Sequence, residues 1–213
     1  MGGSKTKKTN GRGLVILFEG IDGVGKTTQL ELVQDELVKQ GWPVHATRNL
    51  GGTPVGEALR KVTLSPLERS AKTDLYISVA IQTALSESIE AERLRGKIIL
   101  VDRGPLSLAA YHIYGNGVDK KLGWRYADEG MACFKPDLVL LYETKLETAL
   151  GRAGRRMSRT DYFASKPKSY FERVVRGFAA AAKRYPVQSI DGSKSIKAVH
   201  SETMTSINKL LAS

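Results

Sequence analysis

The stretch that most restricts the fold is FEGIDGVGKTT at residues 18–28, directly after the apolar run LVIL. Residues 20–27 fit the pattern G-x-x-x-x-G-K-[ST], in which glycines let backbone N–H groups converge on a phosphate. The pattern requires a β-strand before it and an α-helix N-terminus after it, which adds partial positive charge. It predicts that Lys26 reaches the terminal phosphates of a nucleotide and that the Thr27 hydroxyl binds Mg²⁺. The predicted donor-binding residues are Gly20, Gly23, Gly25, Lys26, Thr27 and Thr28.

Strands and helices alternate along most of the chain. Five short aliphatic runs are typical of strands, and two of them, LVILFE and KIILVD, are apolar on both faces, as in a buried parallel sheet. Helical patterns separate these runs, which predicts an α/β domain with right-handed crossovers. We therefore predict a three-layer P-loop NTPase fold, in which a five-stranded parallel sheet carries helices on both faces. The predicted strands are 14–19, 43–47, 97–102, 137–143 and 187–191, and the predicted helices are 26–41, 54–62, 72–95, 105–114, 121–134, 145–156, 169–185 and 195–211.

The N-terminal stretch MGGSKTKKTNGRG differs in character from the rest of the chain. It is basic, has no hydrophobic periodicity and contains no apolar segment of its own, so we expect no signal peptide. A total of 213 residues is typical of one domain. We predict a flexible basic tail at residues 1–13 and a single P-loop domain at residues 14–213.

Composition limits the partners and the compartment. The net charge of +11 favours anionic partners, either nucleotides or nucleic acid, although a solvated basic surface would explain it equally well. A single cysteine, Cys133, excludes an internal disulfide and a cysteine-based metal cluster, and favours a reducing cytoplasm. No apolar run approaches the roughly 20 residues that span a bilayer, so we expect no membrane contact.

Asp102 and Arg103 follow the apolar run IILV at the end of a predicted strand. Aspartate is unfavourable inside a strand but well placed at its carboxyl end, where ligands bind to sheets of this kind. Phosphate loops usually act with a second carboxylate near the metal. We predict that Asp102 binds Mg²⁺, directly or through water, and that Arg103 contacts phosphate. The alternative is a surface turn.

Four segments in this order resemble the thymidylate kinase family of P-loop nucleoside monophosphate kinases: FEGIDGVGKTTQ, TRNLGGTPVGEALR, VDRGPLSLAAY and PDLVLLYET. The resemblance covers residues 14–211, with only the basic tail outside it. It implies a homodimeric kinase that uses ATP and Mg²⁺ to phosphorylate a nucleoside monophosphate, with conversion of dTMP to dTDP the favoured reaction.

The resemblance also implies roles for particular residues of the acceptor site. Arg48 matches the arginine of the family's TREPGGT motif, which binds the acceptor phosphate. Asp22, inside the phosphate loop, matches an acidic residue that accepts from the sugar 3′-hydroxyl and supports the arginines. Ser107 and Tyr111 match the S…AY that follows the DR pair, with Tyr111 near the sugar. Lys26, Asp102 and Arg103 are thereby the predicted catalytic residues of the core.

A further catalytic arginine is expected from a lid. Some family members carry an arginine at the position of Gly23, and others supply it from a mobile segment, as in the bacterial type. The basic stretch RRMSRTDYF begins such a lid at about 155–168. Its candidates are Arg155, Arg156 and Arg159, and a solvated basic face is the alternative.

The positions that read the base depart from the family pattern. Counting back from Asp102 places the usual aromatic residue and arginine at Ile77 and Ile81, neither of which offers a hydrogen-bond donor. Tyr76 and Gln82, each one residue away, would substitute if the helix register shifts. TREPGGT also reads TRNLGGT here. Alternatives therefore stay open: another deoxynucleotide or a modified nucleotide as acceptor, a nucleoside kinase, or a low-activity nucleotide-binding protein that contacts nucleic acid.

Overall fold

A computed structural model describes residues 12–154 and 166–212 of the chain. Within these ranges five parallel strands form one sheet. They are β1 (Leu14–Glu19), β2 (Val44–Arg48), β3 (Ile98–Asp102), β4 (Leu138–Glu143) and β5 (Gln188–Asp191). Their order is β2–β3–β1–β4–β5. The predicted five-stranded parallel sheet is confirmed.

Helices lie between the strands, as the alternating pattern predicted. They are α1 (Lys26–Lys39), α2 (Pro54–Leu64), α3 (Ala71–Leu94), α4 (Pro105–Leu108), α5 (Lys120–Phe134), α6 (Leu146–Ala153), α7 (Lys168–Arg184) and α8 (Ile196–Leu211). Residues 15–19 of the central strand β1 are all buried, so helices cover both faces of the sheet. In the described part of the chain, no helix is long and apolar enough to cross a membrane.

The strand register gathers the predicted site residues at one edge of the sheet. Asp102 at the end of β3 is paired with Phe18 of β1 on one side and with Arg48 of β2 on the other. The phosphate loop follows β1 directly. The carboxyl ends of these three strands therefore meet at one level, where ligands bind to open parallel sheets.

The predicted helix at 105–114 is divided in the structure. After α4 the chain continues as a π-helical segment, Ala109–Gly115. It packs closely on α7, where a Cβ at Gly177 would lie 2.6 Å from the Cα of Ala110. Arg173 of α7 donates to the carbonyl oxygens of Tyr114 and Gly115 at the end of the segment. Such π-helical turns often occur at functional sites, and this one carries Tyr111.

Two residues of the predicted tail contact the domain. The N–H of Gly13 donates to the carbonyl oxygen of Arg93 at 2.9 Å, and Nε of Arg93 donates back to the Gly13 carbonyl oxygen. Arg12 forms an exposed ion pair with Glu90. These contacts attach residues 12 and 13 to α3, so contacts with the domain begin before the predicted boundary at residue 14.

Candidate active site

A cleft of about 660 Å³ lies at the carboxyl ends of β1, β2 and β3 and extends to α3. It brings together most of the residues that the sequence singled out. They are Asp22, Gly23, Gly25, Lys26, Thr27, Thr28, Arg48, Asp102, Arg103, Ser107 and Tyr111. Gly20 does not line the cleft; it turns the chain beneath it, where a Cβ would lie 2.4 Å from the carbonyl oxygen of Tyr142.

The phosphate loop has the backbone conformation that its glycines allow. Gly20, Gly23 and Gly25 have φ angles of 132°, 83° and 103°, a region that side chains rarely permit. Gly25 directly precedes α1, so the N-terminus of this helix opens into the cleft. Nζ of Lys26 donates to the carbonyl oxygen of Ile21 at 2.7 Å. The lysine therefore lies across the loop, in place to contact an anion held there.

Lys26 is the cation that belongs to this loop, and it is only 5% exposed. Burial, followed by the positive charge of Arg103, lowers the pKa of Lys26 to about 8, against the opposing effect of Asp22. A phosphate bound in the loop would stabilise the ammonium form, because it places negative charge beside a buried cation.

Gly23 is enclosed by the backbone of α6. A Cβ at this position would lie 2.0 Å from the carbonyl oxygen of Ala149 and 3.0 Å from the nitrogen of Ala153. Since these are backbone atoms, they cannot rotate away as a side chain can, and an arginine does not fit here. The three lid arginines predicted from sequence (Arg155, Arg156 and Arg159) lie outside the described residues.

Asp102 and Thr27 meet at the point where β3 ends beside the first turn of α1. Oγ1 of Thr27 donates to Oδ2 of Asp102 at 2.7 Å. The other carboxylate oxygen, Oδ1, is buried and lacks a hydrogen-bond partner. A buried carboxylate oxygen beside a hydroxyl fits the oxygen ligands that Mg²⁺ prefers.

Such an ion would also need ligands from outside the protein. Residues 12–154 and 166–212 contain no group of three or more histidine, cysteine, aspartate or glutamate side chains that could hold a metal. Mg²⁺ usually keeps several waters and is bound by one or two protein groups together with substrate phosphates. The Thr27 and Asp102 pair is consistent with that mode of binding.

Arg103 is held in one position by contacts on several sides. Nη1 donates to the carbonyl oxygen of Gly20 at 2.9 Å and to Oγ of Ser107 at 3.2 Å. Nη2 donates to Asp22. The guanidinium carbon lies 5.2 Å from the ring centre of Tyr111, within range of a cation–π interaction. The backbone of Arg103 has φ 72°, which is unfavourable for a residue with a side chain.

Asp22 links Arg103 to Tyr111, whose hydroxyl donates to Asp22 Oδ2 at 3.0 Å. Burial acts against the charged form of Asp22, but the charges of Arg103 and Lys26 and the hydrogen bonds outweigh it and lower the pKa to about 2. Asp22 is therefore an acceptor at neutral pH that joins the phosphate loop to Arg103 and Tyr111.

Arg48, the last residue of β2, also lines the cleft and is half exposed. Its Nη2 donates to Glu57 at 2.9 Å, and Glu57 also accepts the N–H of Gly52 at 3.0 Å. The hydrogen bonds from the N–H of Gly52 and from Arg48 lower the pKa of Glu57. Leu50 has φ 61°, which a proline cannot adopt, so this loop differs in conformation from any loop with the family's proline at that position.

The far end of the cleft carries a polar network that the sequence did not predict. α3 presents Asp74 and Ser78 there, both of which line the cleft. Asp74 accepts from Nε of Arg69 at 2.6 Å and from Nδ2 of Asn116 at 3.2 Å. His112 has Nδ1 3.7 Å from Asp74 and Nε2 2.9 Å from Oγ of Ser78. Burial lowers the pKa of His112 to about 4, more than Asp74 raises it, so the imidazole is neutral.

The positions predicted to read the base, Ile77, Ile81 and Gln82, are not among the residues that line the cleft. Ile81 is completely buried, Ile77 is partly buried, and Tyr76 packs edge-on against another ring. Gln82 packs on α5, where a Cβ at Gly130 would lie 2.2 Å from its Nε2. Successive residues of a helix point in directions that differ by about 100°. An error of one residue in counting back from β3, across the turn that separates it from α3, therefore selects a different face of the helix. One turn nearer the N-terminus, Asp74 and Ser78 face the cleft instead.

The sequence also did not predict the residues that line the cleft beyond the phosphate loop. Arg152 of α6 lines this end of the cleft and donates from Nη1 to the carbonyl oxygen of Gly192 at 3.0 Å. Lys194 and Ile196, which precede and begin α8, complete this end. No sequence motif marked these residues, because they reach the cleft only through the packing of α6 and α8 beside the loop.

Comparison with known proteins shows which family the chain resembles. A family sequence profile described as thymidylate kinase matches residues 18–203. The thymidylate kinase of Pelotomaculum thermopropionicum is 35% identical over 206 residues, which cover 94% of this chain and 95% of that protein. That of Alkalilimnicola ehrlichii is 33% identical over 207 residues, with 95% and 94% covered.

A solved structure gives the same result for the fold. The crystal structure of thymidylate kinase from Ehrlichia chaffeensis matches with a TM-score of 0.73 at 26% identity, covering 92% of this chain and 98% of that one. The predicted three-layer P-loop NTPase fold is confirmed.

Proposed function

The chain belongs to the thymidylate kinase family, and we propose that it transfers the γ-phosphoryl group of ATP to dTMP, giving ADP and dTDP. The observation that carries this proposal is that one cleft joins two places for phosphate. The phosphate loop with Lys26 forms the first, and Arg48 and Arg103, which both line the cleft, would form the second. A neutral nucleoside would need no second cationic site, so a phosphorylated acceptor is favoured.

The two nucleotides would lie end to end in the cleft. The donor phosphates occupy the loop, and the donor base lies toward Arg152 and Ile196. The acceptor phosphate lies between Arg48 and Arg103, its sugar beside Asp22 and Tyr111. The acceptor base then extends to the network around Ser78 and His112. Such a cleft catalyses transfer chiefly by holding the reacting oxygens in line and by stabilising charge on the moving phosphoryl group.

Within the part of the chain that the structure describes, Lys26 and Arg103 would stabilise the negative charge on the transferring phosphoryl group. Thr27 and Asp102 would hold Mg²⁺, which supplies neutralisation of the donor phosphates. A lid arginine, Arg155, Arg156 or Arg159, is proposed as the third cation, since the backbone of α6 excludes an arginine at Gly23. An arginine in this role is worth about 1,000-fold or more in rate.

The test is ADP formation from ATP and Mg²⁺ with dTMP, dUMP, dCMP, dGMP, dAMP, UMP and CMP as acceptors. We expect selective turnover of dTMP, and a loss of at least about 100-fold in kcat when Lys26 is replaced by alanine. Lys39→Ala, which removes an exposed lysine from the other end of α1, is the matched control and should retain activity. Preference for another monophosphate would show that dTMP is not the main acceptor. An absence of turnover with all of them would refute the proposed kinase activity.

Two further parts of the proposal concern assembly, which rests on the resemblance, and location, which rests on the single cysteine. We propose a homodimer, which light scattering behind a sizing column would detect as a particle of twice the mass of one chain. We also propose a cytoplasmic location, consistent with a single cysteine. A monomer at micromolar concentration would contradict the first proposal.

A further inference from the structure

Glu19 is a buried carboxyl group to which the proposed function gives no role. It is the last residue of β1, has 0% exposure and does not line the cleft. Oε1 accepts the N–H groups of Leu106 and Ser107 at 3.0 and 3.2 Å, and Oε2 accepts the Ser107 hydroxyl at 2.5 Å. Burial of a carboxyl group is unfavourable for folding unless it is hydrogen-bonded in this way. The chain therefore carries an energetically unfavourable buried group next to the phosphate loop.

The hydrogen bonds continue from Glu19 to Arg103. Burial raises the pKa of Glu19, while the hydrogen bonds from Ser107 and the charges of Arg103 and Lys26 oppose this. In the arrangement seen here both Glu19 oxygens accept, so Ser107 gives its single hydroxyl proton to Glu19 and keeps its lone pairs free. Nη1 of Arg103 donates to this same Oγ at 3.2 Å. The direction of bonding therefore runs from Arg103 through Ser107 to Glu19.

The backbone beside Arg103 is shaped around the same carboxyl group. Arg103 has φ 72°, a conformation that persists only where the surroundings impose it. A Cβ on the next residue, Gly104, would lie 3.3 Å from Oε1 of Glu19 and 3.1 Å from Cδ1 of Leu17. The turn that aims the guanidinium into the cleft thus closes tightly over Glu19.

We propose that Glu19 is a positioning residue, which acts through Ser107 to fix the guanidinium of Arg103 at the acceptor phosphate. The inference rests on the proposed function, because the position of Arg103 affects turnover only if phosphate binds beside it. Asp22 holds the other side of the guanidinium through Nη2. Glu19 would therefore set the orientation of the Arg103 guanidinium, and Asp22 would partly neutralise its positive charge.

The test compares Glu19→Gln, Ser107→Ala and the double variant. Glu19→Gln has nearly the same shape but places an amide donor where the Ser107 hydroxyl now donates. We expect each single variant to raise the KM for dTMP about tenfold, with the KM for ATP within about twofold of the parent protein. The double variant should be no worse than the more severe single one, because both changes break one path. Ser107→Thr, which keeps the hydroxyl that Ser107→Ala removes, should retain most of the dTMP affinity of the parent protein.

A purely structural role predicts a different set of results. Thr203→Val removes another buried hydroxyl, which bonds to Tyr142 away from the cleft; it should lower the unfolding free energy without changing the KM for dTMP. If Glu19→Gln behaved in the same way, or weakened ATP and dTMP equally, the positioning role would be overturned. Additive effects in the double variant would also overturn it.

Calorimetric titration with dTMP separates this inference from the proposed function. Parent protein that binds dTMP without turnover would refute the kinase, yet the loss of dTMP affinity in Glu19→Gln would still support positioning. Should Glu19→Gln fail to fold, Ser107→Ala decides the question, and unchanged dTMP affinity in that variant refutes the inference.

Discussion

The carbonyl oxygen of Ala149 in α6 lies where a side chain on Gly23 would begin. A Cβ at Gly23 would be 2.0 Å from that oxygen, and Gly23 itself has φ 83°. The phosphate loop is therefore seated against the helix that precedes residues 155–165. Because backbone meets backbone, position 23 cannot hold an arginine, and the proposed function requires one from another position.

Replacing Gly23 by alanine should lower the unfolding free energy by about 3 kcal/mol, the sum of left-handed strain and overpacking. Gly25→Ala is the matched control, because Gly25 has φ 103° but nothing within 4 Å of its Cβ position. Only the strain of about 1–2 kcal/mol should remain there. Denaturant unfolding of both variants measures the difference. Equal losses would show that α6 does not exclude a side chain from position 23.

Arg48→Ala should raise the KM for dTMP about 10- to 100-fold, because a charge-assisted contact with phosphate is lost. The KM for ATP should stay unchanged. Arg184→Ala is the control: both arginines are half exposed and paired with one carboxylate, Glu57 for Arg48 and Asp128 for Arg184. Since exposed ion pairs contribute little to stability, neither variant should unfold. Steady-state kinetics with each substrate varied would refute the assignment if Arg48→Ala left the dTMP KM unaltered.

Local signals in the sequence explain why the sheet and the phosphate loop were predicted well. The strand, the glycine loop and the helix N-terminus follow one another directly in the sequence. Asp102 could be identified because it is the last residue of an apolar strand. Strand pairing then brings Asp102 beside Thr27 without further information. The two predictions therefore depended on short segments and on the rule that parallel strands share one ligand-binding edge.

The acceptor-base end could not be predicted in the same way. Ile77 and Ile81 were chosen by counting along a long helix, whose facing side changes with every residue. Ser78 and His112 meet only because α3 packs beside the π-helical segment, and no local pattern records that contact. Arg152 likewise reaches the cleft through the packing of α6.

Ser78→Ala should weaken the preference for dTMP over dCMP by about tenfold, as expected for one lost hydrogen bond beside the acceptor base. The Ser78 hydroxyl bonds to His112 within the cleft lining. Thr83→Ala is the control on the same helix, because its hydroxyl is exposed and donates to the Val79 carbonyl oxygen. Values of kcat/KM for dTMP, dUMP and dCMP give the result. Unchanged selectivity in Ser78→Ala would place the base elsewhere.

The buried imidazole of His112 makes stability depend on pH. Burial lowers its pKa in the folded protein to about 4, against 6.5 for an ordinary histidine. Asp74 and Arg69 are the charged groups that act on it, and the Ser78 hydroxyl is its hydrogen-bond partner. Between these two pKa values the unfolded chain takes up a proton at His112 that the folded protein does not. The free energy of unfolding therefore falls as the pH falls through this window.

The contribution of His112 between pH 7 and pH 5 should be about 2 kcal/mol. Urea unfolding of the parent protein and of His112→Gln over this range measures it as the difference in slope. Thr203→Val is the control, because it removes a buried hydroxyl but no group that titrates in this range; it should retain the slope of the parent. Parallel curves for the parent and His112→Gln would show that the imidazole takes up its proton equally in both states, contrary to its burial beside Ser78.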